Sequence, residues 1–324
     1  MNLVLHIILL VGGLVILWKS AELLVAGAVG LARILGVSSL MVGLTVVAMG
    51  TSAPEVAASI AGVLRETGGG DLAVGNVFGS NIANLALVGG LVALIQPLMV
   101  QRKTVFREIP VMLAVALLLW PLFHNSHLSR PEAAVLLAIF VTLVILTVYT
   151  ARQESKLPRY QSESHQPDAR QQTRSAGKNL LFVLVGFAGL ALGATMTVEG
   201  AVFVGIKIGL SESVIALTII AFGTSLPEFL TCIVASVKGH HDISVGNLVG
   251  SNIFNTLLVT GAAGVVRPFE IESRLAGGLD YWIMVAVSAV FAALIIISKR
   301  VLNRVCGLLL VCAYFGYIIY LFLA

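Results

Sequence analysis

The sequence predicts an all-α membrane protein of ten transmembrane helices, arranged as two inverted-topology repeats of five. Three observations predict it: apolar stretches that leave little chain between them, a lopsided distribution of basic residues, and two near-copies of one pair of motifs. Of 324 residues, 58% are hydrophobic and only 11% charged, whereas soluble domains carry roughly 25% charged residues. A helix needs about 20 apolar residues to cross a bilayer. That window finds ten spans, at 3–31, 38–64, 72–95, 107–123, 131–150, 179–206, 212–237, 243–265, 278–298 and 301–323. The first is not followed by a small-residue cleavage site and reads as a span, not a signal peptide.

A net charge of +4 and a pI near 9.1 raise the question of a nucleic-acid partner. The placement of the charges answers it. The only long hydrophilic stretch, 151–178, holds Arg152, Lys156, Arg159, Arg170, Arg174 and Lys178. With that linker in the cytoplasm and ten helices alternating, fourteen Lys and Arg lie inside and five outside, with Lys19 buried in the first helix. This is the positive-inside bias of an integral plasma (cell inner) membrane protein. Both termini are then expected outside, and no nucleic-acid surface is expected. Cys232, Cys306 and Cys312 all fall in apolar segments without a CxxC or Cys/His cluster, so neither a disulfide framework nor a zinc site is indicated.

The linker separates a first five-helix repeat, 1–150, from a second, 179–324. Residues 41–58, MVGLTVVAMGTSAPEVAA, answer 214–231, VIALTIIAFGTSLPEFLT, at an offset of 173. Further on, DLAVGNVFGSNIANLALVGG from Asp71 answers DISVGNLVGSNIFNTLLVTG from Asp242 at an offset of 171. The offset changes in the loop carrying Gly68, Gly69 and Gly70, and loops are where insertions are tolerated. Five spans per half make equivalent helices run in opposite directions. In such inverted repeats the substrate site lies near the bilayer midplane, often on interrupted helices.

Glu55 and Glu228 fall deep in their spans. A carboxylate there costs about 2.5 kcal/mol or more on insertion scales, so it is paired, hydrated or ion-binding. Pairing is the bland reading, but the basic residue within the membrane, Lys19, stands three positions from Glu22, its expected partner. Thr51 and Ser52 share a helical face with Glu55, as do Thr224 and Ser225 with Glu228. Pro54 and Pro227 cannot donate to the carbonyl four residues back and disturb the adjacent turn, so they are expected to kink their helices and partly free carbonyls around Ala48 to Gly50 and around Ala221. The second motif adds Ser80 with Asn84, and Ser251 with Asn255, as further ligands or as packing glue between helices. The GxxxG pairs Gly75/Gly79 and Gly246/Gly250 read as close packing.

The whole inventory is oxygen. Calcium takes six to eight hard oxygen ligands, zinc and copper favour nitrogen or sulfur, and magnesium keeps most of its waters. Two carboxylates match one calcium ion or two to three sodium ions. An empty site would carry two uncompensated charges through a closed state, so only loaded forms should switch, which amounts to antiport. An intramembrane enzyme is the distant alternative. Asp71, Asp242 and Asp280 fall at helix ends and HExxH is absent, so neither an aspartyl protease nor a metalloprotease is expected.

The paired GTSAPE and GTSLPE, each followed by GNxxGSNIxN, resemble the alpha repeats of the cation/calcium exchanger superfamily, the prokaryotic sodium/calcium exchangers above all. The resemblance implies that Glu55 and Glu228 bind calcium and sodium, transported without a cofactor. It also implies that Thr51, Ser52, Thr224, Ser225, the carbonyls of Ala48 and Ala221, Ser80 and Ser251 complete overlapping sites. Asn84 matches a family asparagine, while Asn255 stands where well-studied members have aspartate. A calcium/proton or potassium-dependent antiporter of the same superfamily is the nearer alternative, and a monomer in the lipid bilayer is expected. The resemblance further implies that the first and sixth helices slide as a gate against the other eight. Gly12, Gly13, Gly27, Gly30, Gly186, Gly189, Gly193 and Gly200 suit such a sliding surface.

The charge count is checked by cysteine labelling. Cysteines placed in 151–178 should react only with reagents that reach the cytoplasm, and cysteines at 125–129 only from outside. Labelling of both from one side would refute the alternation.

Overall fold

The structure, a computed structural model, describes residues 3–65, 69–154, 175–209 and 221–323. The chain folds into α1 (Leu3–Leu35), α2 (Ser39–Thr51), α3 (Ala53–Val63), α4 (Gly69–Ile95), α5 (Thr104–Phe123) and α6 (Arg130–Glu154). After the linker come α7 (Ala176–Lys207), α8 (Ala221–Thr224), α9 (Leu226–Val237), α10 (His241–Val266), α11 (Leu279–Ile297) and α12 (Arg304–Leu323). Among the described residues eight helices are long and apolar enough to cross a membrane. The pair α2–α3, bent by 42° at its break, makes a ninth. The stretch expected to span at 212–237 is seen from Ala221 onward, and 210–220 lies outside the described residues.

Local signals place the helix ends. The Ser38 hydroxyl caps α2 by accepting from the Met41 N–H at 3.2 Å. Gly36, at φ +65°, turns the chain after α1 as the left-handed region allows. Which helices form the interior follows from the motifs. The most apolar windows of α4 and α10 are 78% buried inside the protein, whereas those of α1, α6, α7 and α12 are 17–28% buried. An apolar helix with so little protein around it faces lipid. The two GNxxGSNIxN helices are therefore the centre of the molecule.

Both central helices carry a π-turn at equivalent places, Ala83–Val88 in α4 and Asn255–Val259 in α10. Two-residue strands also recur at matching places: β1 (Leu98–Met99), β2 (His127–Leu128), β3 (Phe269–Glu270) and β4 (Val301–Leu302). β1 pairs antiparallel with β4, and β2 with β3, so each ribbon joins a strand of the first half to one of the second. Loop contacts between the halves follow the same grouping. The Glu272 N–H donates to Asp71 at 2.8 Å beside one ribbon, and Gln101 donates to Asp242 at 2.7 Å beside the other.

The glycine stripes of α1 and α7 have a different role from the expected one. They pack the two helices on each other and not on the remainder. A Cβ on Gly13 would meet Thr197 Oγ1 at 2.5 Å, one on Gly186 would meet the Leu24 Cβ at 2.8 Å, and one on Gly189 the Ser20 hydroxyl at 2.0 Å. Gly27, Gly30, Gly193 and Gly200 are equally close to the facing helix, and Gly12 makes an ordinary contact with Met196. Small residues let two backbones approach, and in lipid that dispersion contact holds helices together. On α10, Gly246 and Gly250 pack on Leu40 and Leu44 of α2 as GxxxG predicts. A Cβ on Gly75 or Gly79 would meet nothing within 4 Å, and their repeat-equivalent partners, 213 and 217, lie outside the described residues. Lys19 is also not buried: its side chain is 70% exposed on the outer face of α1 and pairs with Glu22 at 3.0 Å.

Adding a single methyl separates these roles. Gly193→Ala puts a Cβ 2.9 Å from the Gly13 carbonyl and Leu17, an overpacking worth about 1–3 kcal/mol. It should lower the melting temperature of the detergent-solubilised protein, whereas Gly177→Ala, with open space around it, should not.

Candidate cation site

The two GTSxPE motifs form helix breaks and not kinked continuous helices. Ser52, at φ −84° and ψ 5°, separates α2 from α3, and Ser225, at φ −90° and ψ 2°, separates α8 from α9. Pro54 and Pro227 fall within the first two positions of the new helix. There the missing N–H would have had no partner anyway and the fixed φ suits a helix start. Proline thus begins a helix here. The Ala48 carbonyl is not freed: it accepts from the Ser52 N–H at 3.0 Å and the Thr51 hydroxyl at 3.3 Å. The carbonyl that loses its i+4 donor to Pro54 is that of Gly50. Each break sets the carbonyl end of one short helix against the first turn of the next. Glu55 and Glu228 stand in those first turns, where the helix dipole favours a negative charge.

The four motif elements pack crosswise. α3 of the first half touches the α10 π-turn at Asn255, and α9 of the second half touches the α4 π-turn at Asn84. α9 also meets the end of α2, bringing the two breaks together. Glu55, Glu228, Ser225, Ser251, Asn84 and Asn255 are fully buried, Thr51, Ser52 and Ser80 nearly so, and Thr224 half-buried. The two carboxylates lie within electrostatic range of each other, and the Thr51 and Ser52 hydroxyls lie near Glu228 without hydrogen-bond geometry to it. Ala221 stands at the start of α8.

These buried oxygens lack partners. Among the described residues, all four carboxylate oxygens, the hydroxyls of Ser52, Ser225 and Ser251, and both amide atoms of Asn84 and Asn255 accept or donate no hydrogen bond. No lysine, arginine or histidine among those residues forms a salt bridge with either glutamate. Lys19 and Lys238 both go to Glu22, at 3.0 and 3.1 Å. An unpaired buried carboxylate costs several kcal/mol, and two of them beside neutral oxygens describe a place for hard cations. Packing glue falls to neighbouring positions instead. The Asn81 amide donates to Thr256 at 3.0 Å, and Thr256 donates to the Asn252 carbonyl at 2.8 Å.

Two positioning residues were not singled out from the sequence, the asparagines of the repeated GN dipeptide. The Asn76 amide donates to Ser59 at 2.9 Å and to the Glu55 carbonyl at 3.2 Å, tying α4 to the helix that carries the acid. Its counterpart Asn247 donates to Cys232 Sγ at 3.3 Å and accepts from the Thr51 hydroxyl at 3.1 Å. Cys232 occupies the position equivalent to Ser59. Their recurrence in both halves was the available signal.

A family model described as sodium/calcium exchanger protein matches residues 5–149 and 178–323. The sodium/calcium exchanger MaX1 of Methanosarcina acetivorans is 30% identical over 98% of each chain. The inner membrane protein YrbG of Escherichia coli is 38% identical, covering 88% of this chain and 87% of its own. Among solved structures, the sodium-calcium exchanger NCX_Mj superposes with a TM-score of 0.82 at 26% identity, covering 98% of this chain and 99% of its own.

The bridge through Asn247 predicts a stability effect. Asn247→Ala removes two hydrogen bonds and leaves the Thr51 hydroxyl with the Ala48 carbonyl and the Cys232 thiol with the Ser244 carbonyl, a loss of about 0.5–1.5 kcal/mol for each bond. The melting temperature in detergent should fall accordingly, and an unchanged value would show that the bridge contributes nothing.

Proposed function

This chain belongs to the sodium/calcium exchanger protein family, and on that premise we propose how its paired helix breaks exchange the two ions. It is a multi-pass membrane antiporter of sodium and calcium. It is not an enzyme, and its ions are cargo that needs no cofactor. The observation that carries the mechanism is the cluster of partnerless buried oxygens around Glu55 and Glu228.

The carboxylates, with Thr51, Ser52, Thr224, Ser225, Ser80, Ser251, Asn84 and Asn255, take either one calcium ion or sodium ions in their place. Ala221 contributes through its carbonyl, and the Ala48 carbonyl does so on giving up one of the two donors it now holds. Either load cancels the paired negative charge, and the loaded protein alternates access between the two faces while the unloaded one does not. Residues 1–150 and 179–324 act as two five-helix repeats of inverted topology, giving ten spans with the linker 151–178 in the cytoplasm and both termini outside. Two features support that arrangement. Each ribbon joins loops that a ten-span alternation puts on one face, and the Asp71–Glu272 and Gln101–Asp242 contacts obey the same rule. One chain supplies both halves of the site, so a monomer suffices. Packed on each other, α1 and α7 would slide as one unit against the rest.

The test is calcium flux into proteoliposomes driven by a sodium gradient, at fixed pH and without potassium. Glu55→Gln and Glu228→Gln keep side-chain volume and remove the charge, and each should reduce flux to background while the protein stays inserted and folded. Near wild-type rates in both variants would overturn the site. Flux driven by a proton gradient or requiring potassium would replace the counter-ion.

A further inference from the structure

A cavity of about 690 Å3 lies between α7 and the two helix breaks, lined by Gly50, Thr51 and Pro54 on one side and Gly223, Thr224 and Pro227 on the other. The α7 wall runs from Phe187 to Glu199 along one helical face. Its two ends touch the breaks: a Cβ on Gly50 would fall 2.0 Å from the Phe187 ring, and one on Gly223 would fall 2.2 Å from Val198. Glu199 therefore sits next to the second break. It is the only formally charged residue among the described residues lining the cavity.

Its circumstances are unusual for a glutamate in a membrane span. It lies eight residues inside the end of α7 at Lys207, about 12 Å along the axis. It is exposed, yet among the described residues it forms no salt bridge or hydrogen bond. Its first-half equivalent under the 173-residue offset is Ala26, so the repeat does not require it. An intramembrane acid faces water or a partner, because lipid would penalise its charge. The space it faces is also lined by Thr51 and Thr224, next in the chain to Ser52 and Ser225 and one turn before Glu55 and Glu228, whose buried oxygens have no hydrogen-bond partner among the described residues.

We propose that Glu199 forms an antechamber site that holds an incoming hydrated cation at the mouth of this cavity before it passes to the paired carboxylates. The inference rests on the exchange reading above and adds a loading step confined to one face of the membrane. A single negative charge in a cleft with apolar walls concentrates cations locally and speeds capture. It makes no demand on the bound state, so it should govern apparent affinity and not the maximal rate. With the linker in the cytoplasm, the face served is the outer one, toward the end of α7.

The experiment uses the full chain in proteoliposomes with calcium varied separately on each face. Wild-type sodium-driven calcium flux first establishes the exchange reading, independently of Glu199. Glu199→Gln should then raise the KM for calcium at least threefold on one face, leaving the other face and the maximal rate within about twofold. Glu199→Asp should restore most of the affinity, and Thr195→Lys, one turn away, should reproduce the loss without removing the acid. Raising ionic strength with choline chloride should slow subsaturating uptake more in wild type than in Glu199→Gln, since screening removes the same attraction. An unchanged KM on both faces, an equal rise on both, or a fall in maximal rate at constant KM would each overturn the proposal. If Glu199→Gln fails to fold, Thr195→Lys and the ionic-strength dependence of wild type decide it.

Discussion

Two carboxylates share one buried interior, and almost everything else in the molecule is arranged around that constraint. Each charge costs several kcal/mol to bury, and here neither has a basic neighbour in the described residues to offset it. A soluble protein would answer with an arginine. This one surrounds the pair with neutral oxygen from hydroxyls and amides, which is the setting from which compensation by a bound cation is proposed. The helix breaks follow from the same need. An unbroken helix uses its carbonyls internally, and a break places a carbonyl end and a fresh first turn at the same depth.

Crosswise packing then makes the site indivisible. The acid-bearing helix of each half rests on the π-turn of the other half, and Thr51 of the first half is held by Asn247 of the second. π-turns are rare and gather at functional positions because they re-aim side chains that an α-helix would point elsewhere. Both begin at or beside the asparagines whose side-chain amides have no partner among the described residues, Asn84 and Asn255. The Ser59-to-Cys232 difference shows what the duplication tolerates, since either side chain takes the proton of the adjacent asparagine amide. The acids and their hydroxyls show no such divergence between the halves.

Much of this was legible in the sequence, because membrane constraints are blunt. Length and apolarity locate helices, and an acid deep in a span announces itself, so Glu55 and Glu228 could be chosen before any coordinates. What a one-dimensional pattern does not carry is which neighbour a face will meet. The glycine stripes of α1 and α7 looked like a surface for the rest of the bundle and turned out to bind these helices to each other. Pro54 looked like a kink, because sequence alone does not say whether a proline sits inside a helix or opens one. Asn247 looked like an ordinary motif letter, since its bond to Thr51 joins residues 196 positions apart.

The two short ribbons have a consequence out of proportion to their eight residues. Each ties a loop of one half to a loop of the other, at opposite ends of the bundle. Rocking one half against the other would have to shear both ties together, so that mode is stiff. Among the described residues, the segments flanking α1 and α7 contribute no strand to either ribbon. The bundle is thus trussed like a frame around its buried acids, and α1 and α7, which stand outside both ribbons, are held to it by helix packing and by the Glu22–Lys238 ion pair.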